Sequence, residues 1–385
     1  MLYFCVMIEK KFNPFYSKSY GGAKYFCDRE EETQKLLEAA LNRRDVTLYA
    51  LRRMGKSGLI EHVGKKLVTH HNFIYIYSDI YNTENSSQLL VELTNSVIHN
   101  LFKSKSALQK IAELFKSIRP IITFDALTNQ PQIEITTQSE QQVSQSLEEL
   151  FDFVNRQEKQ IYWAIDEFQQ LSSYPENEQI IKQIRFLTQK SQNVTFVFSG
   201  SHTNMLLSIF DKAKQPFYRS TQLLGLQEID KVPYKKFIIH HFSSAKIEVS
   251  DKAIDLIFEY TLVHTWFTQV LCNRLFSLQK NISEVEVKQT LQGILQEFEV
   301  TFYRFRQLMS KGQWHLLLAL AKEGITYQPM GKTFIHQYKL SGTASIRQAL
   351  HKLIKDEFVV ELYNKEKRYY RLNDVFLMRW MAWVY

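Results

Sequence analysis

The chain has 385 residues and a formal charge of +8 from 48 Lys+Arg against 40 Asp+Glu, with 45% hydrophobic and 14% aromatic content. That length exceeds one ordinary core and predicts two or three packed domains, while only 12 glycines and 7 prolines argue against long disordered linkers. Cys5, Cys27 and Cys272 form neither a metal-ligand spacing nor a disulfide framework, so a reducing, cytoplasmic setting is expected.

Met1 to Ile8 are apolar but too short to span a bilayer, and they lack a signal peptide's charged start and cleavage site. An edge strand or a mobile tail is expected there, and no membrane span. Val46-Thr47-Leu48-Tyr49 then predicts a strand, and Leu59, Ile60, Val63 and Leu67 mark the apolar face of a helix. Between them runs Ala50-Leu51-Arg52-Arg53-Met54-Gly55-Lys56-Ser57. It fits the phosphate-loop pattern G-x-x-x-x-G-K-[ST] except that Ala50 stands at the first glycine. A strand, a tight loop and a helix N-terminus make an anion site, because backbone N–H groups and the helix dipole both favour negative charge. Lys56 would reach the β- and γ-phosphates, and the Ser57 hydroxyl would ligate Mg²⁺. Alanine at the first position asks only for a tolerable φ, whereas Gly55 sits where the backbone must approach the phosphates most closely.

Four further apolar runs read as buried strands: Phe73 to Tyr77, Ile161 to Ile165, Val194 to Phe198 and Thr221 to Leu224. Helical patterns such as Ser87 to Phe102 and Gln142 to Asn155 lie between them, so a parallel sheet covered on both faces is predicted. Ile121 to Thr137 differs, with two alternating runs around Leu127-Thr128-Asn129-Gln130-Pro131, and reads as an inserted β-hairpin.

The third core strand closes on Asp166-Glu167. At the carboxyl end of a parallel strand beside a phosphate loop, Asp166 can hold Mg²⁺ through its water shell, and Glu167 can polarise the water that attacks the γ-phosphate. Taken alone, an acid pair at a helix start is as well explained by capping; one strand after the loop, capping becomes the minor explanation. The fourth strand ends Ser199-Gly200-Ser201-His202. Either serine can hydrogen-bond the γ-phosphate or the water, and His202 reads as a turn or capping residue. Arg219, ahead of the fifth strand, is a cation for transition-state charge or interdomain sensing, with a surface arginine as the plain alternative.

Ile229 to Leu278 is helical in pattern, and Ser283 to Ser310 reads as one long connecting helix. The last 73 residues, Gln313 to Tyr385, hold 11 Lys+Arg against 6 Asp+Glu, so 11 − 6 gives +5 of the total charge. Helical patterns at Gln313 to Lys322, Phe334 to Tyr338 and Ile346 to Lys355 precede a strand, a turn and a strand over Phe358 to Leu372: a winged helix. Ser345, Arg347, Gln348 and Lys352 would lie on the outer face of its third helix, with Thr343 and His351. Lys365, Lys367 and Arg368 would form the wing tip. If the module reads DNA, that helix enters the major groove and the wing contacts phosphates; otherwise it is a docking module for protein. The final Met378 to Tyr385 is an apolar, aromatic helical end, and an exposed Trp380 or Trp383 would mark a partner surface.

Several linked motifs resemble the archaeal ATPase group, P-loop proteins of the AAA+-like STAND class that also occur in bacteria. They are Asn13-Pro14-Phe15, Tyr25-Phe26-Cys27-Asp28-Arg29-Glu30-Glu31-Glu32, Arg52 to Ile60, Ala164 to Gln170, Ser199-Gly200-Ser201 and Pro216-Phe217-Tyr218-Arg219. The resemblance implies an α/β P-loop core over 1–228 with strand order 5-1-4-3-2, a helical lid over 229–282, a connecting helix over 283–312 and a winged helix over 313–385. It implies ATP and Mg²⁺ as ligands, with Arg29 in a segment near the adenine and Arg52, Arg53, Met54, Gly55, Lys56, Ser57 and Gly58 around the phosphates. Adenine over guanine also rests on the resemblance, since no Asn-Lys-x-Asp motif is present. Two departures stand out: Ala50, and Val263-His264-Thr265-Trp266, which lacks the glycine-proline of many STAND lid turns. The expected function is a slow or partner-stimulated ATPase acting as a switch, with ATP or ADP, a protein partner and a second copy of the chain as candidate ligands. The alternatives are a DNA-binding or recombination protein gated by ATP, and a scaffold that binds nucleotide without hydrolysis.

Overall fold

Five apolar runs become the strands of one parallel sheet: β1 (Val46–Tyr49), β2 (Ile74–Asp79), β5 (Ile161–Asp166), β6 (Val194–Gly200) and β7 (Gln222–Gly225). The chain is seen here as a computed structural model that describes residues 12–18, 20–101, 121–124, 131–134, 139–364 and 367–385. The tail before Phe12, the turn at 125–130 and Lys365 lie outside them. The sheet order is β2-β5-β6-β1-β7, which is the expected 5-1-4-3-2 when the core strands are numbered alone. β5 and β6 are buried along their whole length, so both of their faces need apolar side chains. Trp163, Ile165, Phe196 and Phe198 point to one face, where α3 (Ser86–Leu101), α4 (Glu140–Asn155), α5 (Asn177–Lys190) and α6 (Thr203–Phe210) close the core. Tyr162, Ala164 and Val197 point to the other, against α1 (Glu30–Leu41) and α2 (Lys56–His71). Each fully buried side chain of this kind contributes about 1.5–3 kcal/mol. α2 lies so close to β2 that a Cβ on Gly64 would meet the Tyr75 ring at 2.6 Å, which explains a glycine in mid-helix despite its cost of ~1 kcal/mol. The hairpin forms as an antiparallel pair, β3 (Ile121–Phe124) with β4 (Pro131–Glu134).

These strands and helices belong to one compact unit, Lys18–Glu228; Ile229–Tyr385 form a second, together with the described residues up to Ser17. The second unit begins with α7 (Lys231–Ser244), α8 (Asp251–Thr261) and α9 (Thr265–Ser277). Phe15 is buried among Phe237, His241, Phe242 and Phe276. Asn13 Nδ2 donates to the Asn273 carbonyl at 2.8 Å and Asn273 Nδ2 returns a bond to the Phe15 carbonyl at 2.8 Å, so this N-terminal segment is anchored on α9. The turn between α8 and α9 places Leu262 and Val263 in the left-handed region, at φ 51° and 56°. That is where glycine would be at ease and a β-branched residue is strained. Burial of the Val263 side chain, 8% exposed, offsets the strain.

α10 (Glu284–Leu308) is the predicted connecting helix, started by a capping box of Ser283 and Glu286. α11 (Lys311–Glu323), α12 (Lys332–Gln337), α13 (Thr343–Lys355), the antiparallel pair β8 (Val359–Asn364) and β9 (Lys367–Leu372), and α14 (Val375–Val384) follow. Lys367 and Arg368 belong to β9 rather than to the wing tip. α14 is not confined to the winged helix. Its Phe376 packs on Trp266 and Phe267 of α9 and on Phe298 of α10. Arg379 Nε and Nη2 donate to the carbonyls of Tyr260 and Glu259 at the C-terminus of α8. Trp380 is fully buried while Trp383 is 51% exposed. Among the described residues, no helix is long and apolar enough to cross a membrane.

Candidate functional site

The loop leaves β1 at Tyr49 and enters α2 at Lys56. Gly55 is the N-cap of α2 at φ 97°, a conformation only glycine adopts cheaply, and no side chain caps the helix. With no side chain on its N-cap residue, α2 has its first N–H groups uncapped from Gly55. Arg53 also takes a left-handed φ of 63°, whereas Ala50 is not among the residues at positive φ. That is the physical reason alanine is tolerated there. Met54 and Lys56 are buried, at 2% and 5% exposure, while Arg52, Arg53 and Ser57 are exposed. Lys56 Nζ donates to the carbonyls of Ala50 at 3.3 Å and Leu51 at 3.4 Å. Burial pulls the Lys56 ammonium below the usual lysine range, partly countered by Asp166 and Glu167.

Asp166 ends β5 at 3% exposure and is the centre of the site. Its Oδ2 accepts from Ser57 Oγ at 2.8 Å and from Tyr77 OH at 2.6 Å, and its Oδ1 accepts from Ser199 Oγ at 2.5 Å and from the Glu167 N–H at 3.0 Å. Loop, β2, β5 and β6 thus meet on one carboxylate. Ser199 is fully buried. Its hydroxyl donates to Asp166, so in this structure it supports that carboxylate. Burial and the Asp166 charge together push the Tyr77 phenol well above its usual range, so it stays a donor.

Glu167 follows at φ 57°, a left-handed turn that brings its carboxylate back toward β6. Its Oε2 accepts from Ser201 Oγ at 2.9 Å, the Ser201 N–H at 3.2 Å and Gln169 Nε2 at 2.5 Å. His202 stands at the N-cap of α6. The two serines of the fourth core strand therefore serve one carboxylate each.

The segment before α1 reaches the loop from the other side. Asp28 and Arg29 are both left-handed, at φ 55° and 68°, and Arg29 is the N-cap of α1. Its guanidinium, 6% exposed, donates to Glu32 Oε1 at 2.9 Å and to the Met54 carbonyl at 3.5 Å, so it braces the phosphate loop itself. Phe26 stacks on His62 of α2 at 4.3 Å, and Tyr20 OH shares a 2.7 Å hydrogen bond with His62 Nδ1. A Cβ on Gly58 would meet Phe26 only at ordinary contact distance, 3.9 Å.

Arg219 is not brought to this cluster. It precedes β7, whose Gln222 pairs with Val46 and donates to the Asp45 carbonyl at the amino end of β1, whereas the loop leaves the carboxyl end. The exposed guanidinium lies over the Tyr218 ring at 5.2 Å. A strand of four residues separates the two edges by ~13 Å. In the winged helix, Ser345, Arg347, Gln348, Lys352, Lys367 and Arg368 are all exposed. Lys352 pairs with Asp356 at 2.8 Å and Arg368 with Glu361 at 3.5 Å.

Sequence reasoning gave no role to Tyr77 or Gln169, or to Arg29 as a brace. The signals are slight: β2 ends Tyr-Ser-Asp beside β5, and a glycine interrupts the two serines of β6. Among the described residues, no group of three or more His, Cys, Asp and Glu could hold a metal ion by itself. Ser57 and Asp166 offer hard oxygen donors side by side, a set that suits Mg²⁺ shared with phosphate oxygens rather than a closed protein cage.

Comparison with known proteins bears on the fold and the family. The Walker-type ATPase of Pyrococcus abyssi is similar at 19% identity over 96% of this chain and 99% of its own, with a TM-score of 0.64. The ORC2 protein of Aeropyrum pernix in ADPNP-ADP complexes is similar at 13% identity over 97% of each chain, TM-score 0.59. The ORC1 protein of the same organism in complex with DNA gives 12% identity over 93% of each chain, TM-score 0.51. At these identities the likeness is one of fold. Comparison with curated proteins gives no match. Residues 300–383 match a family described as a probable winged helix domain. Residues 26–262, more than half of the chain, match the ATPase domain found predominantly in Archaea, and the protein belongs to that family.

Proposed function

We propose that this ATPase-family chain is a Mg-ATP-dependent switch of the STAND type, hydrolysing slowly or on stimulation by a partner. The observation that carries the reading is the hydrogen-bonded set Ser57–Asp166–Ser199, set beside Glu167–Ser201 at the carboxyl edge of the sheet. It joins a phosphate loop to two carboxylates of different surroundings. Asp166 is buried and held by four donors, while Glu167 is partly exposed and held through one oxygen. The uncapped N–H groups of α2 and the Lys56 ammonium would hold the β- and γ-phosphates, with Lys56 turning from the loop carbonyls to the anion. Ser57 and Asp166 would hold Mg²⁺, which when bound neutralises phosphate charge and orients the leaving group. Glu167 would hold the attacking water and accept its proton. Arg29 would fix the loop, and Phe26 and His62 would flank the base.

The lid (229–282), connector (283–312) and winged helix (313–385) would answer nucleotide state as one body, because α14 packs on both α9 and α10 and Arg379 caps α8. The test is equilibrium titration with ATP in the presence and absence of Mg²⁺. Wild type should bind and Lys56→Ala should not; equal binding by both would sink the reading.

A second reading is that ATP gates affinity for DNA. It is favoured by the exposed Arg347 and Gln348 on α13, opposite buried Ile346, Leu350 and Leu353, in a module of net charge +5. The DNA complex of the similar ORC1 fold is in keeping with it. Duplex binding that falls steeply with salt, and weakens in Arg347→Ala or Lys367→Ala, would support it. No binding at modest salt would leave protein docking as the module's role.

A further inference from the structure

We propose that Gln169 is a positioning residue for Glu167, an inference that rests on the reading of Glu167 as the group that holds the attacking water. Among the described residues, all the hydrogen bonds to the Glu167 side chain fall on Oε2, from Gln169 Nε2 and from the N–H and Oγ of Ser201. A carboxylate clamped through one oxygen has its plane and its rotation fixed, and it presents Oε1 in a single direction. Gln169 is 3% exposed, and its amide nitrogen also lies 3.4 Å from His202 Nδ1. Its carbonyl Oε1 is buried without a hydrogen-bond partner among the described residues. Leaving such a group unsatisfied is a cost that an apolar side chain of similar volume would avoid. The amide cannot turn over to relieve it, because its oxygen would then face the Glu167 carboxylate.

The orphaned oxygen lies over Gly200, in the volume that a Cβ at that position would fill. Gly200 has no positive φ, so its lack of a side chain answers to the amide and not to the backbone. Gly200, Gln169 and Glu167 therefore form one series: glycine makes room for the amide, the amide clamps the carboxylate, and the carboxylate faces the water. Ser201, the residue after β6, completes the clamp.

The experiment measures ATP turnover and ATP affinity separately in Gln169→Leu, Gly200→Ala and Ser201→Ala, with Gln169→Leu repeated in the Glu167→Gln background. Loss of the clamp should lower kcat in Gln169→Leu by about a hundredfold, as expected for a misplaced base, with ATP affinity and melting temperature held. Gly200→Ala should reproduce that split, and Ser201→Ala, at a half-exposed position that tolerates change, should lower kcat in the same direction. In the Glu167→Gln background, Gln169→Leu should have no further effect on turnover. Unchanged or raised kcat in Gln169→Leu and Ser201→Ala would overturn the inference, as would parallel loss of ATP binding. If Glu167→Gln itself hydrolyses ATP at the wild-type rate, the role of Glu167 fails first, and the two failures are told apart.

Discussion

Lys56 donates to the carbonyl oxygen of Ala50 across the phosphate loop, at 3.3 Å. The residue that breaks the glycine pattern is thus a partner of the lysine that defines it. Burial lowers the Lys56 pKa, so its charged form is disfavoured in the folded chain relative to the unfolded one. The unfolded state then binds more protons between the two pKa values, and stability rises with pH across that window, with the full penalty below it. Lys56→Met should therefore melt above wild type at neutral pH, by about 2–4 °C per kcal/mol regained, while losing ATP binding. A melting temperature below wild type would show that the carbonyl contacts outweigh desolvation.

Ala50→Gly restores the pattern but should not improve the protein. Ala50 has no need of positive φ, so glycine there adds freedom to the unfolded chain, worth about 0.4–1 kcal/mol, and removes a buried methyl group. Chemical denaturation should show that loss, with ATP affinity unchanged. A gain in affinity would mean the loop is strained at this position.

Asp45 caps the amino end of β6 by accepting from the Phe196 N–H at 2.9 Å. Burial raises its carboxyl from 3.8 to about 6, against the opposing pull of that bond and of Arg185. The folded state then holds the proton more tightly, so stability is full below the unfolded pKa and falls as pH rises toward 6. Asn keeps an acceptor for Phe196 without the charge. Asp45→Asn should be more stable than wild type at pH 7.5, on the order of 1–2 kcal/mol, with the gap closing in acid. Urea midpoints at both pH values decide it; a constant gap would assign the effect to something other than titration.

At the turn between α8 and α9, the usual order of alanine above glycine should invert. Val263→Ala loses buried methyl groups, about 1.6 kcal/mol, and keeps the left-handed strain. Val263→Gly loses one carbon more, about 0.8 kcal/mol further, but regains about 1–2 kcal/mol of backbone strain. Thermal unfolding should rank wild type first, then glycine, then alanine. Alanine above glycine would show that the left-handed geometry at φ 56° is not a cost here.

Arg379→Met removes both donors to the carbonyls that end α8. Amide hydrogen exchange should rise at the C-terminus of α8 and in α14, and stability should fall by ~1–2 kcal/mol. Exchange confined to α14 would mean the arginine does not tie the last helix to the lid.

The sheet was legible because β5 and β6 are buried on both faces, and such strands show as unbroken apolar runs. The loop and the carboxylates were legible because their spacing is local. The clamp was not. Tyr77, Ser199 and Asp166 meet only through strand order, 33 to 89 residues apart, and such convergence leaves no local pattern. Arg29 was placed near the base by resemblance, yet its guanidinium braces Met54, a contact that depends on a left-handed turn no periodicity reveals. Arg219 was legible as a motif residue but not as lying at the far edge of the sheet, since that follows from the register of β7 on β1. The strap around Phe15 was visible only as a motif; its anchorage on Asn273 required the fold.

The most direct test of the account is single-turnover ATP hydrolysis by Glu167→Gln under conditions where all of the protein carries nucleotide. The account predicts wild-type affinity for ATP with cleavage slowed by about a hundredfold or more, since one positioned general base contributes on that scale. Wild-type cleavage by this variant would contradict it, because Glu167, for all its place beside Asp166 and Ser201, would then hold no catalytic water.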